Sequence, residues 1–327
     1  MNFEKIFTDF KSKKILIIGD IMIDSYRWGN VERQSPEAPV PIVNLEKKED
    51  RLGGAGNVAL NIKALGAKPI LCSVIGEDYS GNKLLELLRQ ENLCTDGIII
   101  DRTRKTTTKT RIINNSEQIV RIDDEDLFDI KNEQNLLELI YSKLNQVDVI
   151  ILQDYNKGVL TENIITNIIK KANQKNIPTI VDPKKKNFKK YKNCTLFKPN
   201  LKETVEGLNF NINDFNDIEK AAKKLKEIIK CDIVLITLSE NGICINYDNK
   251  FLHTKAIQRN IIDISGAGDT VLAVASLCYS INMNNNDLSK ICNISGGLVC
   301  EKVGVVTINK EELIKEVNKY LWNDKAL

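Results

Sequence analysis

The chain has 327 residues, 42% of them hydrophobic, enough to bury one large core, and it favours a single α/β domain with a small appendage over two equal domains. Its 47 Lys and Arg nearly cancel its 44 Asp and Glu, and a net charge of +3 excludes the large basic field that nucleic acids or membrane surfaces require. One histidine, His253, excludes Ser/His/Asp triads, HExxH metal sites and paired-histidine transfer motifs, so catalysis must rest on carboxylates, lysines or main-chain dipoles.

The chain opens with the polar MNFEKIFTDFKSKK, and no later apolar run approaches the roughly 18 residues of a membrane span. Together with eight singly scattered cysteines that lack zinc spacing, this predicts buried thiols in a reducing cytoplasm. KILIIG (residues 14–19) reads as a buried parallel strand, and Asp20 to Asp24 follow its end. VPIVNL (residues 40–45) carries β-type residues with no helix after it. Gly53, Gly54 and Asn57 open the helical stretch VALNIKALGA. The letters Gly54-Ala55-Gly56-Asn57-Val58-Ala59 match a GxGxxA dinucleotide pattern, but the polar EKKEDRL before them does not read as a strand, which disfavours a dehydrogenase.

PILCSVIG (residues 69–76) is a second buried strand. The GEDYSGNK that ends it has the two glycines of a P-loop with Asn82 at the lysine position, so the motif fails. NKLLELLRQEN then has helical spacing. Residues 107–123 (TTKTRII and QIVRI within them) read as further antiparallel strands, forming with residues 40–45 either a small lid or extra strands on the main sheet. Lys109, Arg111 and Arg121 fall at alternating positions there, so their cationic groups can share one face; Arg33, Lys157 and Lys184 are further candidate cations for a phosphorylated ligand, against solvated surface charge as the plainer reading.

From residue 148 the rhythm is regular. DVIILQD, IPTIVDP and DIVLITL are strand runs, and ENIITNIIKKANQKN and DIEKAAKKLKEIIK are amphipathic helices between them, which predicts a doubly wound sheet flanked by helices. The Asn/Asp-rich patches at 209–216 and 281–287 read as surface turns. Asn200 and Glu203 follow the apolar TLFKP; Ser239, Glu240 and Gly242 make a turn after DIVLIT, near strand ends where nucleotides bind in open sheets. His253, in KFLHTKAI, reads as structural, on a strand or edge.

The most informative segment is Asp263-Ile264-Ser265-Gly266-Ala267-Gly268-Asp269-Thr270, followed by the apolar VLAVASLCYSI. It puts glycines at a helix N-terminus, where unpaired N–H groups and the helix dipole hold an anion. Asp269 then stands beside a bound phosphate, placed to take the proton of an attacking hydroxyl, while the amides of Gly266, Ala267 and Gly268 stabilise the transferred oxygens. The alternative is an ordinary helix start with Ser265 as N-cap and Asp269 favoured by the dipole.

DxxGAGD at the head of a C-terminal apolar helix resembles the signature of the ribokinase/PfkB carbohydrate kinases, in which the last Asp is the catalytic base. The resemblance implies a ribokinase-like α/β fold with a small β lid, a sugar site at Asp24, Gly53, Gly54 and Asn57, and ATP and Mg²⁺ as cofactors, with a monovalent cation left open. It also implies an N-x-x-E element at Asn200 and Glu203, the Glu organising Mg²⁺ through water, and adenine bordered by Asn293. ERQSPEAPVPIV, LGGAGNVALNIKALGA, TTKTRIINNSEQIVRID, QDYNKGVL, VDPKKKNFKKYKNCTLFKPNLKE and TLSENGI are similar to successive blocks of heptose 7-phosphate kinases over nearly the whole chain. The expectation is therefore a stand-alone kinase that phosphorylates the anomeric hydroxyl of a heptose 7-phosphate for ADP-heptose and lipopolysaccharide core precursors, and that dimerises through its lid. Ribose, fructose or fructose phosphate kinases share part of the pattern, and a noncatalytic sugar or nucleotide sensor on the same scaffold is the alternative outside enzymes.

Overall fold

The computed structural model describes residues 3–114 and 117–322. In chain order its strands are β1 (Lys14–Gly19), β2 (Ile21–Gln34), β3 (Pro41–Gly54), β4 (Lys68–Gly76), β5 (Ile98–Asp101), β6 (Thr108–Asn114) and β7 (Glu117–Asp124), then β8 (Val149–Gln153), β9 (Thr179–Asp182), β10 (Leu196–Phe197), β11 (Ile233–Thr237), β12 (Ile243–Tyr247) and β13 (Lys250–Thr254). Nine of these form one sheet in the order β13-β12-β11-β10-β9-β8-β1-β4-β5, parallel from β11 to β5 and finished by the antiparallel β12 and β13. The other four form a side sheet in the order β3-β2-β6-β7.

Strand β1 shows how the core is built. Ile15 and Ile17 point into one apolar layer while Leu16 and Ile18 point into the other, and all four are fully buried. A strand covered on both faces has no solvent side to mark with polar residues, so its sequence is an unbroken apolar run. The first layer is covered by α1 (Phe3–Asp9), α2 (Ala55–Ala64), α3 (Tyr79–Gln90), α8 (Ala267–Ser280), α9 (Asn285–Val299) and α10 (Lys310–Trp322). The second is covered by α4 (Glu133–Lys143), α5 (Glu162–Gln174), α6 (Leu201–Leu208) and α7 (Phe215–Ile229).

The outer helices bury one stripe each: α5 buries Ile164, Ile165, Ile168, Ile169 and Ala172, and α7 buries Ile218, Ala221, Ala222, Leu225 and Ile229. Helix α8 packs against both α2 and α9, so it is buried nearly all round from Asp269 to Cys278. Truncating its fully buried Leu272 to Ala costs about 2–5 kcal/mol, because the packed neighbours cannot close the cavity.

The side sheet is larger than residues 40–45 and 107–123 predict. Strand β2 leaves the body with Ile21 to Tyr26 buried and ends exposed, and β3 returns from exposed Pro41 to buried Gly54, a ribbon of two 14-residue strands. The polar EKKEDRL therefore lies in a strand, and the glycines at 53–56 do follow one, contrary to the sequence reading. Both faces of the ribbon carry polar residues, so apolar alternation is missing and the strand is illegible. Because β3 is antiparallel to β2 and α2 leads on to β4 of the other sheet, the segment is still not a dinucleotide-binding βαβ unit. Asp78 caps α3 by accepting from the Gly81 N–H, so the failed P-loop is an ordinary helix start. His253 sits on the edge strand β13, with Nε2 2.7 Å from the Asn241 carbonyl.

Among the described residues no helix is long and apolar enough to cross a membrane. All eight cysteines are free, seven of them buried.

Candidate active site

Seven of the nine α-helices with a described start are capped by a side chain: Asp78, Asn132, Thr161, Asn200, Asp214, Asn284 and Asn309. The two without a side-chain cap are α2 and α8, which begin at the two glycine motifs. Gly266 is the N-cap of α8, and not Ser265 as in the alternative of an ordinary helix start, with φ 79°; a Cβ there would also meet Asn57 Nδ2 at 2.9 Å. With no side-chain cap on α8, and the Ala267 N–H donating to the Ile264 carbonyl at 3.3 Å, the N–H groups of Gly268 and Asp269 keep the helix end electropositive.

Asp269 lies in that first turn, 3% exposed. Three neutral donors hold its carboxylate: Gln153 Nε2 (3.0 Å) and Tyr155 Oη (2.8 Å) on Oδ1, and Asn57 Nδ2 (2.9 Å) on Oδ2. Burial pushes its pKa up to about 6 against the lowering effect of the Asn57 and Tyr155 bonds. Burial and the charges of Asp269 and Asp182 drive the Tyr155 hydroxyl well above its ordinary value, so it remains a donor.

A group of charges stands on the other side of Gly268, where a Cβ would lie 3.8 Å from both Asp182 Oδ2 and Lys198 Nζ. Lys198 is buried and pairs with Asp182 at 2.9 Å. Lys184 approaches Asp182 at 3.6 Å, bonds Glu203, and lies over the Tyr155 ring. Burial disfavours its ammonium, but Asp182 and Glu203 outweigh that and raise its pKa. Asp182 Oδ1 is buried without a hydrogen-bond partner, and with Glu203 it offers the hard oxygens that suit hydrated Mg²⁺. Asn200 and Glu203 also close a reciprocal capping box on α6, so both residues have a structural duty beside any ligand.

The side sheet brings the expected sugar residues to the same place. Asp24 on β2 is buried and bonds Arg111 Nη1 at 2.5 Å. Gly53 is required beside it, because a Cβ there would stand 2.1 Å from Asp24 Oδ2; Gly54, at φ 57°, turns the chain into α2. Arg121 lies directly opposite Arg111 in the register, so both share a face with Lys109. None of these cations is isolated. Lys109 bonds Asp123 (3.0 Å) and Glu125 (2.9 Å), Lys157 bonds Glu125 (2.5 Å), and Arg121 makes a two-pronged contact with Asp123. Burial raises the carboxyl pKa of Glu125, but Lys157 and Lys109 outweigh it and hold it below its ordinary range.

Of the other expected residues, only Arg33 stands far along its strand; the turn of Ser239 and Glu240 follows Thr237, which bridges Asn200. Arg33 is exposed on β2, nine positions beyond Asp24 and hence roughly 30 Å along the strand. Ser239 and Glu240 form a short turn after β11, with Gly242 at φ 89° because a Cβ would strike the Thr254 carbonyl at 2.1 Å. Asn293 on α9 donates to the Lys255 carbonyl at 2.8 Å, which fixes the segment after β13.

Sequence reasoning missed Asp20, Asn61, Gln153, Tyr155, Asp182 and Lys198. Four of these stand at or just past the C-terminal ends of β8, β9 and β10, where open parallel sheets place their ligand groups, and that rule alone would have found them. Asp20, just past β1, accepts the N–H groups of Tyr155 (2.8 Å), Lys157 (3.0 Å) and Val159 (3.0 Å), so one buried carboxylate shapes the loop that carries Tyr155.

Residues 12–312 match the family model described as pfkB family carbohydrate kinase. Curated proteins named bifunctional protein HldE are similar: that of Aliarcobacter butzleri is 39% identical over 93% of this chain and 64% of its own length, and that of Sulfurimonas denitrificans 38% over 97% and 65%. The protein of that name from Helicobacter pylori is 38% identical over 94% and 67%. The chain thus spans about two thirds of the length of these relatives. Among solved structures, phosphofructokinase-2 of Escherichia coli in complex with potassium superposes with a TM-score of 0.79 at 20% identity, covering 95% of this chain and 99% of that one. Ribokinase of Arabidopsis thaliana complexed with ribose and ATP gives 0.73 at 15%, covering 94% and 99%. The fold is ribokinase-like, as the motifs implied.

Proposed function

Because the chain belongs to the pfkB family of carbohydrate kinases, we propose that it transfers the γ-phosphoryl group of ATP to the anomeric hydroxyl of a heptose 7-phosphate, giving a heptose 1,7-bisphosphate. The observation that carries the kinase reading is the buried Asp269 carboxylate in the uncapped first turn of α8. The heptose 7-phosphate assignment rests on the sequence blocks quoted above and on the likeness to the HldE proteins. It places the chain in the supply of ADP-heptose for lipopolysaccharide core, in the cytoplasm.

Asp24 accepts sugar hydroxyls, and the paired Gly53 and Gly54 let backbone approach the ring. The anomeric hydroxyl gives its proton to Asp269 as its oxygen bonds to the γ-phosphorus; the bond to the β,γ-bridging oxygen breaks and ADP leaves. The amides at the start of α8 and the ammonium of Lys198 face the charge on the transferring oxygens. Asp182 and Glu203 would hold Mg²⁺ through water, and that ion supplies neutralisation of the polyphosphate. Lys109, Arg111, Arg121 and Lys157 serve the far phosphate by exchanging carboxylate partners for it.

Val120 and Ile122 flank Arg121 on β7 and so face away from the cleft, 45% and 55% exposed. An apolar outer face of this kind is covered by a second copy of the chain, making a dimer through the side sheet. Ile122→Glu is expected to shift the sedimentation coefficient from dimer to monomer; a wild-type monomer refutes the assembly.

The deciding experiment is ADP release with a panel of sugars, each with and without a terminal phosphate. Turnover of heptose 7-phosphate and not of free heptose supports the substrate. Turnover restricted to ribose, fructose or fructose phosphate replaces it, and no turnover with any sugar removes the kinase reading.

A further inference from the structure

We infer that Asn61 is a positioning residue that fixes Oδ2 of Asp269 as the oxygen taking the sugar proton; this rests on the base assignment just made. A carboxylate oxygen has two lone-pair directions. Both on Oδ1 are taken, by Gln153 Nε2 and Tyr155 Oη, whereas Oδ2 receives Asn57 Nδ2 alone among the described residues. The vacant direction for an incoming hydroxyl is therefore on Oδ2.

That arrangement depends on which way the Asn57 amide points. Turned over, it would set its oxygen against the carboxylate and repel the base. Asn61, one turn further along α2, prevents the flip by donating from Nδ2 to Asn57 Oδ1 (3.1 Å) and to the Asn57 carbonyl (2.8 Å). Asn61 is itself polarised from outside the helix, since Ile308 N–H donates to its Oδ1 at 2.9 Å, with the Thr270 hydroxyl at 3.3 Å.

A main-chain N–H can only donate, so every later link has a forced direction: Ile308 N–H to Asn61 Oδ1, Asn61 Nδ2 to Asn57 Oδ1, Asn57 Nδ2 to Asp269 Oδ2. Asn61 and Asn57 are 0% and 1% exposed, which leaves no bulk water to restore a lost link. The segment around residue 308 thus sets the polarity of an amide more than 240 positions earlier in the chain.

The test is a double-mutant cycle read as kcat and as KM for ATP. Asn61→Ser removes the amide that orients Asn57 without adding charge. It is expected to lower kcat about 10-fold or more, the loss of a hydrogen bond to a charged group, with KM for ATP within about twofold. In an Asn57→Ala background the same change is expected to cost less than about twofold, because nothing is left to orient. An equal loss in both backgrounds, or an unchanged kcat for Asn61→Ser, overturns the inference. Thermal melts accompany each variant; if Asn61→Ser does not fold, Asn61→Asp, which still accepts from Ile308, replaces it in the cycle. Asp269→Asn is the separate control, since near-normal turnover there removes the base itself and not the relay.

Discussion

The pocket around Asp269 and the side sheet treat charge in opposite ways. On the body, Asp269 is buried among three neutral donors, and among the described residues no cation touches it. On the side sheet, the described cations facing the cleft are matched with carboxylates: Arg111 with Asp24, Lys109 with Glu125 and Arg121 with Asp123, and Lys157, on the loop after β8, joins them by pairing with Glu125. A neutral hydrogen-bonded cage leaves a carboxylate basic and fixes its direction, whereas a pair of opposite charges is an exchangeable bond that an arriving anion can take over. On the proposed function, the pocket around Asp269 serves bond making and the side sheet recognition.

Changes on the body are expected to act on kcat. Asp269→Asn should reduce turnover by at least ~100-fold while ATP still binds, measured by ADP release and by nucleotide titration. Near-normal turnover with that variant would dissolve the contrast altogether.

Changes on the side sheet are expected to act on KM for the sugar phosphate. Arg111→Ala, which strips Asp24 of its partner, should raise that KM by roughly 10-fold or more, since a charged hydrogen bond is lost. Arg121→Ala should have the smaller effect, because that side chain is 49% exposed and its ion pair is worth little. Equal effects on kcat from both arginines would show that the side sheet takes part in the chemistry.

The cage can also be loosened without removing the base. Tyr155→Phe deletes a donor that lowers the Asp269 pKa, so the value should rise above about 6. A general base works only when deprotonated, hence the acid limb of the kcat/KM profile should move to higher pH, by about half a unit to one unit. An unmoved limb would mean that the hydroxyl does not reach the working carboxylate.

The smallest effect is on stability. Burial pushes both Asp269 and Asp154 up to about 6, with the Asp20 charge adding to the latter, while unfolded aspartates titrate near ~3.9. Between these values the folded chain binds more protons than the unfolded one, so stability falls as pH rises from about 4 to 6 and stays lower above. Carboxylates held below their ordinary values, such as Asp123 and Glu125, lose their contribution only as pH falls below about 4.5. The Tm is therefore expected to be roughly 2–5 °C higher at pH 5 than at pH 7.5. The opposite slope would place the buried carboxylates in other surroundings.

The same contrast explains what could be read from the sequence. Asp269 and its glycines were legible because a local run of small residues before an apolar helix has few other uses, and KILIIG or DVIILQD because two-sided burial erases polar alternation. The long ribbon of β2 and β3 was hidden by the same logic in reverse, since EKKEDRL is polar on both faces. The partners of Lys109 and Arg121 stand within the adjacent RIDDED, yet only the register of β6 against β7 reveals the pairing. Gln153 and Tyr155 lie more than 110 positions from the carboxylate they hold, and no pattern in one sequence joins them.

Asp20 carries a consequence for how the molecule assembles. Its carboxylate organises main-chain groups as far as Val159, 139 positions away, and it can do so only after β1 and β8 lie side by side. Such long-range closure is costly in chain entropy and comes late in folding. A refolding chain should thus regain helical signal well before enzymatic activity, and a nascent chain released before β8 has emerged would hold its aspartate against nothing.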